Sequence, residues 1–383
     1  MSSSPVFNNK SKVYFGEVLC WLSYLLLKQF YLWDSGLPQL ADIFWPLFFM
    51  FHILNKKFYF RQLDSTYWLT AFIIYAFVVD VAYYFFFKDT SFIMSILYWI
   101  YNYTIFIFVI DMCLRYGKNF LRLTFYGFCL VILLQFFINL IVPNSGEFRN
   151  TGSFVNPNQL GYFAILCTSI ILFTGDTFKP NKNDLFLILG VLICCLYLIN
   201  LSGSRASILA VFMLFFVYAI QSKQKIIIFL FGICLILMII YGFINDNINK
   251  RLYGEFAKET YKLSEEASGR GYDRLYNYPE FLLLGAGQGA SDRFTKGDIT
   301  GLEIHSAPAT IVFSYGVIGS LFILIFILKV GLLQIKNLIW ICPVMFYNIT
   351  HNGIRQPFLW VFLSIISYST FLQMRCNESN ETK

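Results

Sequence analysis

Lysine and arginine gather at every second junction between apolar segments, and this alternation constrains the chain more than any other feature. Twelve apolar stretches run at roughly 13–33, 38–54, 67–87, 91–112, 120–142, 158–175, 184–200, 204–221, 225–244, 307–328, 337–350 and 356–373. Most approach the ~20 residues that cross a hydrocarbon core, and 38–54 and 337–350 are short, so eleven or twelve transmembrane helices are expected. One set of junctions holds Lys10 and Lys12; Lys56, Lys57 and Arg61; Arg115, Lys118 and Arg122; Lys179 and Lys182; Lys223 and Lys225; Lys329 and Lys336; Arg375 and Lys383. The opposite set has no basic residue near Asp34, then Lys88, Arg149, Arg205 and Arg355 singly. Excess Lys and Arg in short loops marks the cytoplasmic side, so both termini are expected inside a bacterial inner membrane. The stretch 245–306 is expected outside despite its eight basic residues, because long loops translocate regardless of charge.

Composition agrees with this reading. The chain is 57% hydrophobic and 13% charged, which excludes an ordinary soluble domain. Its 44 Phe and 25 Tyr cluster near the expected helix ends, as at 83–87 and 98–103, where aromatic rings favour the membrane interface. The net charge of +7 resides mostly in the inward loops and does not point to nucleic acid. A basic N-terminal region precedes the first apolar run with no small-residue cleavage site after it, so a retained first helix is expected. All nine cysteines fall in apolar segments or on the expected cytoplasmic side, away from an oxidising periplasm. No metal-ligand spacing, Walker loop or dinucleotide fingerprint appears, and neither a metal nor a cofactor is expected.

The organisation follows: an N-terminal transmembrane bundle over 1–244, a periplasmic loop over 245–306, and C-terminal transmembrane helices with a cytoplasmic tail over 307–383. Within the loop, the charged pattern 249–264 and the apolar spacing of 272–284 predict two short surface helices. The whole is expected to be an all-α polytopic helical bundle.

Candidate chemistry lies on the outward side. Arg149 stands in a Gly, Asn and Pro-rich loop, and Arg205 in the tight turn Leu-Ser-Gly-Ser-Arg-Ala at a helix start. Arg270 and Arg274 lie in the long loop, and Arg293 follows the run Gly-Ala-Gly-Gln-Gly-Ala. Arg355 and His351 share the turn Ile-Thr-His-Asn-Gly-Ile-Arg. Arginines at helix ends also snorkel to lipid headgroups, which is the plain alternative for each one. As a set they are basic residues kept on a face otherwise nearly emptied of them. A helix N-terminus favours an anion, and the guanidinium fork matches phosphate oxygens. Arg205, Arg270, Arg274, Arg149 and Arg355 are therefore the expected phosphate or pyrophosphate ligands. His305 precedes an apolar helix and titrates near neutral pH, so it is the expected proton acceptor, with Glu303 able to do the same work. The glycine-rich run offers backbone donors for phosphate but equally suits a plain turn. Glu17, Lys28, Asp42 and Asp80 are ionisable residues in or beside helices; Lys28 and Asp42 are expected to snorkel or pair across their turn, and Asp80 to pair with a buried Lys or Arg. His52 is expected to face the cytoplasm without a role.

Four of these motifs occur in order: Arg149-Asn-Thr-Gly-Ser-Phe-Val-Asn-Pro-Asn158, Ser202-Gly-Ser-Arg205-Ala-Ser, Ser268-Gly-Arg270 through Gly285-Ala-Gly-Gln-Gly289, and His305 followed by Tyr315-Gly-Val-Ile-Gly319. With them the chain resembles the O-antigen ligase/polymerase superfamily of bacterial inner membranes, over roughly residues 145–325. The resemblance implies a fold like that of C-type membrane glycosyltransferases, substrates carried on undecaprenyl pyrophosphate, and a metal-independent transfer. It implies that Arg205 and Arg270 or Arg274 hold the pyrophosphate leaving group and that His305 sits beside the acceptor. Ligases of the family follow the histidine with an Asn-containing pattern, whereas Ser306-Ala-Pro-Ala stands here. That departure favours a Wzy-type O-antigen polymerase over a ligase moving glycan to lipid A core. Membrane lipids are implied partners, as is a chain-length regulator protein. A transporter is the reading from another class, but such folds show paired halves and midplane charges rather than chemistry beside one outer loop.

Overall fold

The computed structural model describes residues 13–33, 38–55, 63–141, 149–178, 180–244, 270–294, 303–331 and 334–381. These residues form twelve long helices and no strand. They are α1 (Phe15–Leu27), α2 (Leu40–Asn55), α3 (Asp64–Phe87), α4 (Ser91–Tyr116), α5 (Lys118–Ile141), α6 (Pro157–Phe178), α7 (Lys182–Ser202), α8 (Arg205–Gln221), α9 (Lys225–Ile244), α10 (Ala307–Gly331), α11 (Ile335–Thr350) and α12 (Pro357–Glu381). Each of the twelve apolar stretches has become one helix. Among the described residues, seven helices are long and apolar enough to cross a membrane: α3 to α7, α10 and α12. The architecture is that of an all-α polytopic membrane bundle.

Backbone signals set the helix ends. Asn181 accepts from the Asp184 N–H at 2.9 Å while Asp184 accepts from the Asn181 N–H at 3.0 Å, a reciprocal capping box that starts α7. Gly203 ends the same helix in the left-handed region at φ 55°, where a residue without a β-carbon carries no steric penalty. The next helix begins two residues later.

By packing, the chain divides into two units that do not follow sequence order. The first comprises Met1–Tyr59, Phe108–Ala257 and Cys342–Val344, and the second Phe60–Ile107, Lys258–Ile341 and Met345–Lys383. In the first unit α6 is buried along most of its length and packs on α5, α7 and α8. Trp21, Trp45, Phe108 and Phe120 form its aromatic core near α1 and α2, and the Trp21 indole donates to Thr124 at 3.1 Å.

In the second unit α3 packs along α10, and α12 packs on α10 as well. Phe106, Phe326 and Trp360 fill the space between α4, α10 and α12. The described part of the long loop, 270–294, holds a one-turn helix at Arg274–Asn277 and 3-10 turns at Pro279–Phe281 and Ser291–Phe294. The continuous surface helix expected over 272–284 is not formed. Pro279 interrupts it, and Tyr278, Phe281 and Phe294 fold inward onto Phe313 instead. The helix expected over 249–264 lies outside the described residues.

Candidate active site

Helix α10 is broken at Gly316, where φ is 64° and ψ −170°. The break frees carbonyls that a continuous helix would use, and the glycine-rich loop takes them. Ala286 N–H donates to the Phe313 carbonyl at 2.9 Å, Gly287 N–H to Ser314 at 2.8 Å, and Val317 N–H to the Leu282 carbonyl at 2.8 Å. A β-carbon on Gly316 would lie 2.3 Å from the Leu283 oxygen, and one on Gly285 would lie 2.3 Å from the Ser314 oxygen. Both glycines are required because two backbones meet there with no room between.

The same loop is held from the other side by α3 and α4. Gln288 N–H donates to Asp80 Oδ1 at 2.7 Å, and the Tyr315 hydroxyl donates to Asp80 Oδ2 at 2.9 Å. The Trp99 indole N–H reaches both Gln288 Oε1 (3.0 Å) and the Tyr315 oxygen (2.8 Å). Tyr83 donates to the Gly285 carbonyl at 3.0 Å, and Ala290 N–H donates to Ser91 Oγ at 2.7 Å. One expectation is corrected here, and one open alternative is decided. Asp80 takes neutral donors, a backbone amide and a phenol, in place of a hydrogen-bonded Lys or Arg. The loop's amides at 286, 287, 288 and 290 point into the protein and are satisfied there, so the glycine-rich run is not a phosphate cradle.

Arg293 belongs to this anchor. Its guanidinium donates to the Ala286 carbonyl at 2.7 Å and lies within 4.6 to 5.1 Å of the ring centroids of Phe87, Phe294, Phe92 and Tyr83. Such a caged cation is a structural staple. Arg274 is buried, with its guanidinium 5.7 Å from the Phe294 ring.

Four of the predicted site residues, Arg270, Glu303, His305 and Arg355, do come together beside this frame. The His305 N–H donates to the Arg270 carbonyl at 3.0 Å, which ties the segment 303–305 to the start of the described loop. Arg270 also reaches the Thr350 carbonyl at 3.4 Å, at the end of α11. Arg355, in the turn between α11 and α12, donates to Glu303 at 2.8 Å and lies 5.1 Å from the Tyr98 ring. Two cations, a carboxylate and an imidazole thus share one end of α10, α11 and α12. The His305 side chain is exposed at its edge, yet partial burial and then the Arg270 charge lower its pKa below the usual histidine value, against the pull of Glu303. His351 stacks on Tyr347 at 4.7 Å and bonds Thr350 at 3.0 Å.

Arg149 and Arg205 are neighbours in the first unit. Arg149 Nε donates to the Ser202 carbonyl and Nη2 to Asn158 Oδ1, each at 2.7 Å. It thereby closes the C-terminal end of α7, with its aliphatic stem against Gly203. Arg205 is the first residue of α8. Ser204, at the cap position, makes no side-chain capping bond, so the first amides of α8 lack the usual hydroxyl acceptor.

Other ionisable residues of the first unit are structural or unexpected. Lys28 Nζ meets the Asp42 carboxylate at 2.6 and 2.7 Å, the pairing expected across the α1–α2 turn. His52 is buried and engaged: its ring lies 3.3 Å from Glu17 and 3.1 Å from Asp111. Arg115 bonds the same Asp111, and Tyr116 donates to Glu17 at 2.7 Å. The one sequence signal for this network is the i, i+4 spacing of Asp111 and Arg115. No protein-family model matches the sequence, and no curated protein is similar to it.

Proposed function

We propose that this chain is an O-antigen or capsular polysaccharide polymerase, transferring a growing glycan from undecaprenyl pyrophosphate to the next lipid-linked repeat unit on the periplasmic face of the inner membrane. The observation that carries the reading is the group Arg270, Glu303, His305 and Arg355 at one end of α10 to α12. The basic-residue alternation puts that end outside and both termini in the cytoplasm.

In this reaction a sugar hydroxyl of the acceptor attacks the anomeric carbon of the donor glycan. The bond from that carbon to the pyrophosphate oxygen breaks, and the lipid pyrophosphate leaves. Pyrophosphate is already a good leaving group, so the protein's work is to neutralise its charge and orient the hydroxyl. Arg270 and Arg355 supply charge in the second unit. The Arg355–Glu303 pair is partly exposed and such pairs contribute about 0–1 kcal/mol, so an arriving anion displaces Glu303 at little cost. Displacement also leaves the Glu303 carboxylate without its cation. Neutral His305 accepts the hydroxyl proton. In the first unit Arg205 stands at the start of α8, where the Ser204 hydroxyl makes no capping bond, and a guanidinium at a helix N-terminus suits phosphate. Arg149 braces its turn. Arg274, turned toward Phe294, has a smaller part.

The test is the surface glycan of a strain lacking the protein. A polymerase leaves single repeat units on the lipid A core, a ligase leaves uncapped core, and a transporter leaves lipid-linked units on the cytoplasmic face. Sidedness is tested by cysteine labelling. Tyr276→Cys should react from outside cells with a permeabilised outer membrane and Lys223→Cys should not; the reverse pattern removes the proposal.

A further inference from the structure

Helices α3 and α10 lie antiparallel, which gives a depth scale for whatever packs on them. Lys329 stands 3.9 Å from Asp64 at one end, the Tyr75 and Phe322 rings meet at 6.0 Å midway, and Tyr315 bonds Asp80 toward the other end. Both helices are long and apolar enough to cross a membrane. α3 has 24 residues, so at about 1.5 Å per residue Tyr75 lies roughly 18 Å short of the Phe87 end. That places Tyr75 near the middle of a hydrocarbon core about 30 Å thick.

The described loop segment 270–294 reaches that depth and returns. Where it starts down, the Tyr272 hydroxyl donates to the His305 carbonyl at 3.2 Å, just before α10 begins. The Leu282 carbonyl accepts from Val317, just past the break in α10. The Leu284 carbonyl accepts from the Tyr75 hydroxyl at 2.7 Å, at the middle of α3. The chain then climbs: Gly285 meets Tyr83, Gln288 meets Asp80, and Ala290 meets Ser91 at the start of α4. The turn at 282–284 is the deepest part, and both its arms rise toward the face where α3 ends and α10 begins.

The chemistry of this turn suits hydrocarbon. Glu280 and Asp292 bracket a run, from Phe281 to Ser291, that carries no charge. The carbonyls of Leu282, Leu284, Gly285 and Ala286 accept from Val317, Tyr75, Tyr83 and Arg293, and the amides of Gly285 to Gln288 all donate within the protein. Irregular backbone is tolerated at membrane depth only where protein satisfies it in this way. Leu283 and Leu284 are 64% and 57% exposed at the turn, while residues 285–288 are buried. Ile74 and Val78 on α3 and Val317 on α10 are exposed as well, so the surface at this depth is apolar.

We propose that residues 281–290 form a re-entrant segment that enters the bilayer and leaves it on the same side, with the Leu283 and Leu284 side chains among the acyl chains of that leaflet. The partner of this surface is lipid hydrocarbon. Arg270 and Tyr272, which bond the His305 backbone, stand on the arm above this anchor, so the anchor sets their height relative to the bilayer.

The test uses the full chain in phosphatidylcholine nanodiscs carrying one copy each. In one set of discs the lipid bears a diazirine on an acyl chain, and in another on the headgroup. Irradiated wild type should carry acyl-diazirine adducts on Leu283 or Leu284, as on Ile74 or Val78, and headgroup adducts on neither leucine. Leu283→Cys and Leu284→Cys, each with the wild-type melting temperature, should react with a sulfonated maleimide at least about tenfold more slowly than Tyr276→Cys, because the reacting thiolate does not form in hydrocarbon. Adducts are counted by intact mass above those of the native cysteines. Absence of acyl adducts from both leucines overturns the proposal, since the turn is then covered by protein or lies in water. Reaction of either new cysteine at the Tyr276→Cys rate overturns it as well. If both cysteine variants misfold, the wild-type crosslinks decide alone.

Discussion

The backbone N–H of Gln288 donates to the carboxylate of Asp80 at 2.7 Å, joining a loop to a helix 208 residues away in sequence. Asp80 is wholly buried and also accepts from Tyr315. Its removal leaves the buried Gln288 amide without its acceptor, whereas the Tyr315 hydroxyl still has Gln288 Oε1 at 3.1 Å. Asp80→Ala should therefore destabilise the second unit by about 1–3 kcal/mol, for the one buried group left unpaired. Asp80→Asn keeps one acceptor and offers Tyr315 a donor, so it should cost less. Thermal unfolding of the detergent-solubilised variants checks the order Ala below Asn below wild type; equal melting of Ala and wild type would show that the loop is held elsewhere.

Gly316→Ala should be worse than any polar substitution in this frame. The added carbon meets the Leu283 carbonyl at 2.3 Å, and the φ of 64° adds about 1–3 kcal/mol of backbone strain for a residue with a side chain. Because backbone is the obstacle, no rotamer change relieves it. Yield of monodisperse protein should fall sharply, and Gly190→Ala in α7, where an added β-carbon meets nothing within 4 Å, provides the neutral comparison.

Arg205→Ala should lower polymerisation by about 10²–10³-fold with insertion unchanged, the usual loss when one preorganised charge is removed from a developing anion. Arg205→Lys should recover only part, since a point charge cannot form the two-pronged contact. Arg149→Ala should reduce activity less, and adding it to Arg205→Ala should change little, because Arg149 acts through the turn that presents Arg205. Glycan ladder length at matched expression is the measurement. Additive losses would place Arg149 on the substrate directly.

His305→Ala should slow transfer by about 10²–10⁴-fold, the range of general acid–base catalysis, while lipid pyrophosphate binding survives. The wild-type pH profile gives an independent check. Burial and Arg270 lower the His305 pKa, so the neutral, proton-accepting form persists below the ordinary histidine midpoint near 6.5. Activity should stay level as pH falls to about that value and decline only at lower pH. Arg270→Ala removes one cause of the shift and should move the decline upward in pH. A flat profile, with near-normal activity in His305→Gln, would make Glu303 the better acceptor.

Hydrophobic length is a local property, and it determined most of the helical architecture. Twelve apolar runs became twelve helices because a segment that must satisfy its own backbone in lipid has one regular solution available. The Arg205 turn was equally legible, since Gly203 and Ser204 announce a helix end and a helix start in consecutive residues.

Packing decided the rest. Nothing along the chain says that Asp80 faces an amide at 288, that the glycine run is locked against a broken α10, or that Arg293 is caged by four rings. These depend on long-range contacts that local pattern does not encode, and they turned an apparent phosphate loop into a strut. The sequence alone singled out a set of arginines, with His305 and His351 among them, on the side it leads one to expect outside. The tertiary structure decided that Arg270 and Arg355 stand with His305 and Glu303, and that Arg293 is structural. The physical reason is that charge and hydropathy are read residue by residue, whereas a donor's partner exists only once the chain has closed on itself.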